Sequence, residues 1–136
     1  MEIKIEDRIN RRFTWNRKEK LKSRKRIERV FREGKSQSLF PFKVLWLVQS
    51  AQAASRLQAG FGVSSRHFKK AVDRNRIKRL SREAYRLQKH ALLRLLEDKG
   101  LYLAVFFLYT GKDLPDYPTV THKIGVLLQK LIKEIS

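Results

Sequence analysis

Apolar positions in this chain follow two periods, one near 3.6 and one of 2. Ile27, Val30 and Phe31 recur at helical spacing behind Ser23, a good N-cap, and ahead of Gly34. That predicts a short helix over Arg24 to Glu33. Phe40-Pro41-Phe42 then opens a strand running to about Gln49, in which Phe42, Val44, Trp46 and Val48 alternate with Lys43, Leu45, Leu47 and Gln49. Both sides of this strand are substantially apolar, so both should be largely covered. Leu57 to Ser64 reads as a second strand, with Leu57, Ala59, Phe61 and Val63 on one side and Gln58, Gly60, Gly62 and Ser64 on the other. The glycines make that second side shallow. Glycine inside a strand marks close approach, either by a ligand or by a neighbouring element.

Ile77, Leu80, Ala84, Leu87, Ala91 and Leu95 recur at spacings of three and four. They predict one long helix from about Asp73 to Asp98, closed by Lys99-Gly100. Leu101 to Tyr109 is a continuous apolar run between Gly100 and Gly111, as in a central strand buried on both faces. A last helix, about Val120 to Ile135, carries the stripe Ile124, Leu127, Leu128, Leu131, Ile132 and Ile135, with Thr119 or Thr121 as its cap. Strand, helix and strand in succession imply a β-α-β unit and at least one parallel pair. The expected architecture is one α/β (α+β) domain over 23–136, a small mixed sheet with helices against it. Residues 1–22 are polar and basic and read as a mobile arm. Phe13 and Trp15, set among Arg11, Arg12, Arg17 and Lys18, either stack on bases or pack back onto the domain.

Charge changes this picture. The chain has 136 residues, 32 of them Lys or Arg against 13 Asp or Glu, a formal net charge of +19. Such an excess repels itself in the compact state unless an anionic partner offsets it, nucleic acid before an acidic membrane. Arg74, Lys78, Arg82, Arg86 and Lys89 form a cationic row on the long helix, on a different side from its apolar stripe. There are no cysteines, which excludes disulfides and thiolate metal sites and suits a reducing cytosol. The N-terminus carries no apolar core of signal-peptide length, and the longest apolar run is about half a bilayer span. These features lead to an expectation of a cytoplasmic protein with no membrane partner.

No side-chain constellation for chemistry stands out. His67, His90 and His122 are scattered without ligand spacing. Asp113 and Asp116 share a loop, and Glu97 and Asp98 end a helix, but nothing pairs them as a two-metal nuclease requires. There is no phosphate loop with its lysine and no nucleophile elbow. No catalytic side chain and no directly bound metal are expected.

The segment Ala71-Val72-Asp73-Arg74-Asn75-Arg76-Ile77-Lys78-Arg79-Leu80-Ser81-Arg82 resembles the signature A-V-x-R-N-R-x-K-R-x-x-R of the bacterial ribonuclease P protein subunit, matching every fixed position. Val30, Phe31 and Gly34 resemble the end of that family's first helix, and Gly60-Phe61-Gly62-Val63-Ser64 its strand before the signature. The resemblance implies a two-layer sandwich of order α-β-β-(β)-α-β-α with a left-handed β-α-β crossover. It implies a cofactor protein of a catalytic RNA that removes the 5′ leader of precursor tRNA using Mg²⁺ bound chiefly by RNA. The protein would be a monomer within a ribonucleoprotein.

By position, the RNA-binding set is Arg74, Asn75, Arg76, Lys78, Arg79 and Arg82, with Arg86 continuing the row. A cleft for the single-stranded leader would comprise Ile27, Phe31, Leu45, Gly62 and Ser64, with Arg66 beside it. Asn75 can cap the helix, hydrogen-bond RNA or help order a hydrated metal indirectly. Ile27 and Leu45 stand where the family usually has aromatic rings, so base stacking there is reduced. Tyr109-Thr110-Gly111-Lys112 lies where many relatives carry an arginine and a proline. A ribosomal or general RNA-binding protein fits charge and fold as well, and an autonomous nuclease is the third class. The signature favours the first reading.

Overall fold

The structure is a computed structural model, described here for residues 15–51 and 53–136. Its centre is a four-stranded sheet ordered β1-β2-β4-β3. The strands are β1 (Lys35–Leu39), β2 (Phe42–Gln49), β3 (Leu57–Val63) and β4 (Tyr102–Tyr109), and the helices are α1 (Arg24–Glu33), α2 (Ala71–Gln88), α3 (His90–Lys99) and α4 (Tyr117–Ile135). β1 and β4 each run antiparallel to β2, while β3 and β4 are parallel. The fold is therefore mixed α/β, and the parallel pair is the one joined through the basic helix.

Register sorts the strand residues into two faces. Phe42, Val44 and Trp46 of β2 lie beside Tyr109, Phe107 and Val105 of β4, and these beside Val63, Phe61 and Ala59 of β3. This face takes the larger core. Ile77, Ala84 and Tyr85 from α2, Leu92 and Leu96 from α3, and Ile124, Leu127, Leu128 and Leu131 from α4 pack against it. The opposite face carries Leu45 beside Phe106 beside Gly60, then Lys43 beside Leu108 beside Gly62. Only part of it is covered, by Val30 and Ile27 of α1 and by Leu21. A short helix on this second face thus leaves a strip of sheet beside it.

Three sequence expectations change. The long basic helix is two helices: Lys89 holds φ −75° and ψ −12° between α2 and α3. Its side chain is 4% exposed, and its ammonium reaches Glu19 at 2.8 Å. The apolar stripe runs through the break unbroken, so its period gives no sign of it. β1 was absent from the strand pattern because Lys35-Ser36-Gln37-Ser38-Leu39 has no apolar alternation. It is fixed instead by the ladder it completes along β2. Residues 15–22, assigned by sequence to the arm, lie against the edge of β3: Lys20 bridges Ala59, and the Leu21 N–H donates to the Ala59 carbonyl at 2.9 Å. Trp15 packs edge-on to Phe61 with ring centroids 5.4 Å apart, so it follows the packing alternative. Arg11, Arg12 and Phe13, with the rest of 1–14, lie outside the described residues.

Ser23 caps α1 as expected, accepting from the Arg26 N–H, whereas α4 starts earlier than expected and is capped by Asp116, which accepts from the Thr119 N–H, not by Thr119 or Thr121. Gly100 ends α3 at φ +66°, a conformation that favours glycine.

Candidate nucleic-acid interface

Two cationic or aromatic surfaces flank β3, and each is positioned by the β3-α2-β4 unit. The first is the exposed side of α2. Burying Ile77, Ser81, Ala84 and Tyr85 in the core turns the intervening positions outward. Asn75, Arg76 and Arg79 are exposed, while Lys78, Arg82 and Arg86 are half-buried. Arg76 and Arg79 have no ion pair among the described residues. Their planar guanidinium forks are thus available to phosphate, which they match bidentately.

Arg74, Arg86 and Arg82 have partners inside the protein. Arg74 Nη1 donates to the carbonyls of Phe68 and Lys69 at 2.7 and 2.8 Å, tying the preceding loop to the first turn of α2. Arg86 pairs with Glu83 at 2.6 Å, and hydrogen bonding from Arg86 lowers the Glu83 carboxyl below its usual range. Arg82 lies over the Trp15 ring, 5.7 Å from its centroid. The Asn75 side chain does not cap α2, whose N-cap is Lys70 with no side-chain capping bond. Spacing alone gave these residues equal standing; their partners divide them.

The second surface is the strip of sheet beside α1. Phe31 is 43% exposed, and its ring meets Phe106 edge-on at 5.2 Å. Ile27 is half-buried at the base of the same helix face. Leu45 is 5% exposed beneath α1 and serves as core. Gly62 and Ser64 are half-buried at the open end of β3, and Arg66 is exposed in the loop that follows. A Cβ at Gly60 or Gly62 would come within 2.8 Å of the Phe106 ring. The glycines therefore admit the Phe106 ring, which is only 8% exposed and belongs to the smaller core, and the half-buried Leu108 beside Gly62 continues the floor.

Three floor or rim residues escaped the sequence reading. Phe106 and Leu108 sit in a run apolar on both faces, which carries no sign of which side is open. Lys43 lies opposite Leu108 and is the one cation in an otherwise apolar strand, a signal that was legible.

Among the described residues no group of three or more His, Asp or Glu side chains could hold a metal ion. No described helix is long and apolar enough to cross a membrane. The class this defines is a mixed α/β protein with a cationic face on α2 and a partly apolar strip of sheet beside α1.

The comparisons fix the family. The family model described as Ribonuclease P matches residues 15–132. The ribonuclease P protein component of Porphyromonas gingivalis strain ATCC 33277 is 38% identical over 108 residues, covering 79% of each chain. That of Chlorobium phaeobacteroides is 33% identical over 123 residues, covering 82% of this chain and 83% of its own. The RNase P protein of Staphylococcus aureus superposes with TM-score 0.64 at 18% identity over 87% of this chain and 98% of its own. That of Thermotoga maritima superposes with TM-score 0.58 at 26% identity over 82% and 96%. The chain belongs to the ribonuclease P protein family, the protein component of the enzyme that matures tRNA 5′ ends. A ribosomal or general RNA-binding role is not favoured.

Proposed function

We propose that this chain binds the catalytic RNA of ribonuclease P through α2 and the 5′ leader of precursor tRNA along the strip beside α1, in the cytoplasm. The observation that carries the reading is the pairing of two surfaces by one β-α-β unit. Exposed Arg76 and Arg79 face one way on α2, and the half-exposed Phe31, its ring resting on the largely buried Phe106, borders the strip of sheet beside α1. The arginines offer bidentate contacts to backbone phosphate, releasing counterions as they bind. Phe31 offers a half-exposed ring to a base, with Lys43 and Arg66 near the same end of the sheet for leader phosphates.

In this reading the cleavage chemistry belongs to RNA. Mg²⁺ would reach the complex on RNA. The surroundings of Asn75 include Lys78 and Arg82, whose charges repel a divalent cation, so the residues present do not fit a metal held directly by the protein. The protein's contribution is to hold leader and catalytic RNA together and to reduce their mutual repulsion.

The test is cleavage of precursor tRNA by the catalytic RNA at low Mg²⁺, with and without this chain. Stimulation by the chain is expected. Equal rates with and without it would remove the proposal.

A further inference from the structure

Between the two surfaces, at the outer edge of β3, lies a cavity of about 350 Å³. One wall is the segment 15–22, which supplies Trp15, Lys20 and Lys22; the other is α2, which supplies Asn75, Lys78 and Arg82. Gly60 and Phe61 form its floor. Among the described residues four cations therefore line the cavity, and no acid does. The nearby Glu19 is turned away into its ion pair with Lys89.

The wall formed by 15–22 is built into the fold. The Gln58 amide donates to the Lys18 carbonyl at 2.7 Å, the Leu21 N–H donates to Ala59, and Glu19 anchors at the break between α2 and α3. These contacts hold Lys20 and Lys22 opposite Lys78 and Arg82. Two of the cations also rest against Trp15: the Lys20 ammonium is 5.0 Å and the Arg82 guanidinium 5.7 Å from its ring centroid. Such contacts, partly open to solvent, ease the mutual repulsion only weakly. The parallel ladder adds a further feature. Ala59 presents its carbonyl to the outer edge, so alternation turns the Phe61 N–H to that edge too, beside the cavity. A half-open cluster of cations, without an acid among the described lining residues and with an outward backbone donor, suits an anion of phosphate type.

We propose that this edge cavity is a separate RNA-backbone subsite. It takes one sugar–phosphate unit where RNA passes between the α2 face and the strip beside α1, with Lys20 and Lys22 joining Lys78 and Arg82 as ligands and Trp15 as their buttress. The proposal rests on the RNA-binding function above and adds residues 15–22 to it. The unit comes either from the catalytic RNA or from the leader, since both present the same backbone chemistry.

The experiment uses the full chain with Lys20 and Lys22 both changed to Gln, the charge-preserving Lys20→Arg, Lys22→Arg pair, and Lys130→Gln on α4 as a control. Affinity for the catalytic RNA is measured across a salt series, then affinity of the assembled holoenzyme for precursor and mature tRNA. The glutamine pair is expected to lower the log–log salt slope by roughly 0.7–0.9, one phosphate's worth. The arginine pair and Lys130→Gln are expected to keep it. A loss already present with catalytic RNA alone assigns the unit to that RNA; a loss only with precursor tRNA assigns it to the leader. Unchanged slopes in both arms, with the wild-type chain binding and stimulating the RNA, overturn the subsite and leave the ribonuclease P function standing. A loss in the arginine pair as large as in the glutamine pair also overturns it, because the effect would then be one of folding. Absence of RNA binding by the wild-type chain would overturn both.

Discussion

Arg74 and Arg79 occupy equivalent fixed positions of the basic signature, yet the structure gives them different work. Arg74 Nη1 bonds the carbonyls of Phe68 and Lys69, and Arg79 stands exposed. Hydrogen bonds to a charged group contribute about 1.5–3 kcal/mol when well shielded. Arg74 is half-buried, so solvent screening reduces the two bonds together to about 1–2 kcal/mol. Arg74→Ala should lower the urea unfolding midpoint by about 0.5–1 M, taking a denaturant dependence of about 2 kcal/mol per M. Arg79→Ala removes no internal contact seen among the described residues and should change stability by less than about 0.5 kcal/mol. It should instead reduce the salt slope of catalytic-RNA binding by roughly 0.7–0.9. Urea unfolding followed by circular dichroism, paired with filter binding across a salt series, separates the two effects. An unchanged midpoint in Arg74→Ala would refute the reasoning, because its guanidinium would then not be holding the loop.

Three further outcomes follow from the same contacts. Phe31→Ala should weaken holoenzyme binding of precursor tRNA by about 1–3 kcal/mol, the worth of one stacked base, and leave mature tRNA unaffected; equal losses on both would argue against a leader surface beside α1. Glu19→Ala removes the carboxylate from the ammonium of Lys89 and should cost about 1–3 kcal/mol in urea unfolding, with Trp15 emission shifting to the red as its segment loosens; an unchanged emission spectrum would show that the ion pair does not anchor the segment. The carboxyls of Asp116 and Glu83 are both lowered, chiefly by hydrogen bonds from Thr119 and Arg86. Their contribution to stability is complete above the ordinary carboxylate range of about 4 and is lost as pH falls through the depressed values, so the urea midpoint should drop below about pH 4 and do so less steeply in Asp116→Asn.

The sequence determined the elements with a strong period. The helix Arg24–Glu33 and the apolar strands at 42–49, 57–63 and 102–109 follow from spacing, and so does the parallel pair. Each buries a face whose periodicity is its own signature, so local pattern and tertiary environment agree. The cationic row and the family were legible too, because charge and motif are properties of the chain.

Tertiary structure decided what depends on partners distant in sequence. β1 exists because β2 had a free edge, and its polar residues announce nothing. The break at Lys89 accompanies an ion pair with a residue seventy positions earlier. Leu45 is core, and Phe106 is the ring over the glycines, because register places both under or beside α1. The division of the signature into Arg74, which ties a loop, and Arg76 with Arg79, which face outward, follows from which carbonyls lie within reach. Periodicity reports which side of an element is apolar. It cannot report what comes to rest against that side, and on the two surfaces proposed to bind RNA that contact determines which residues remain exposed.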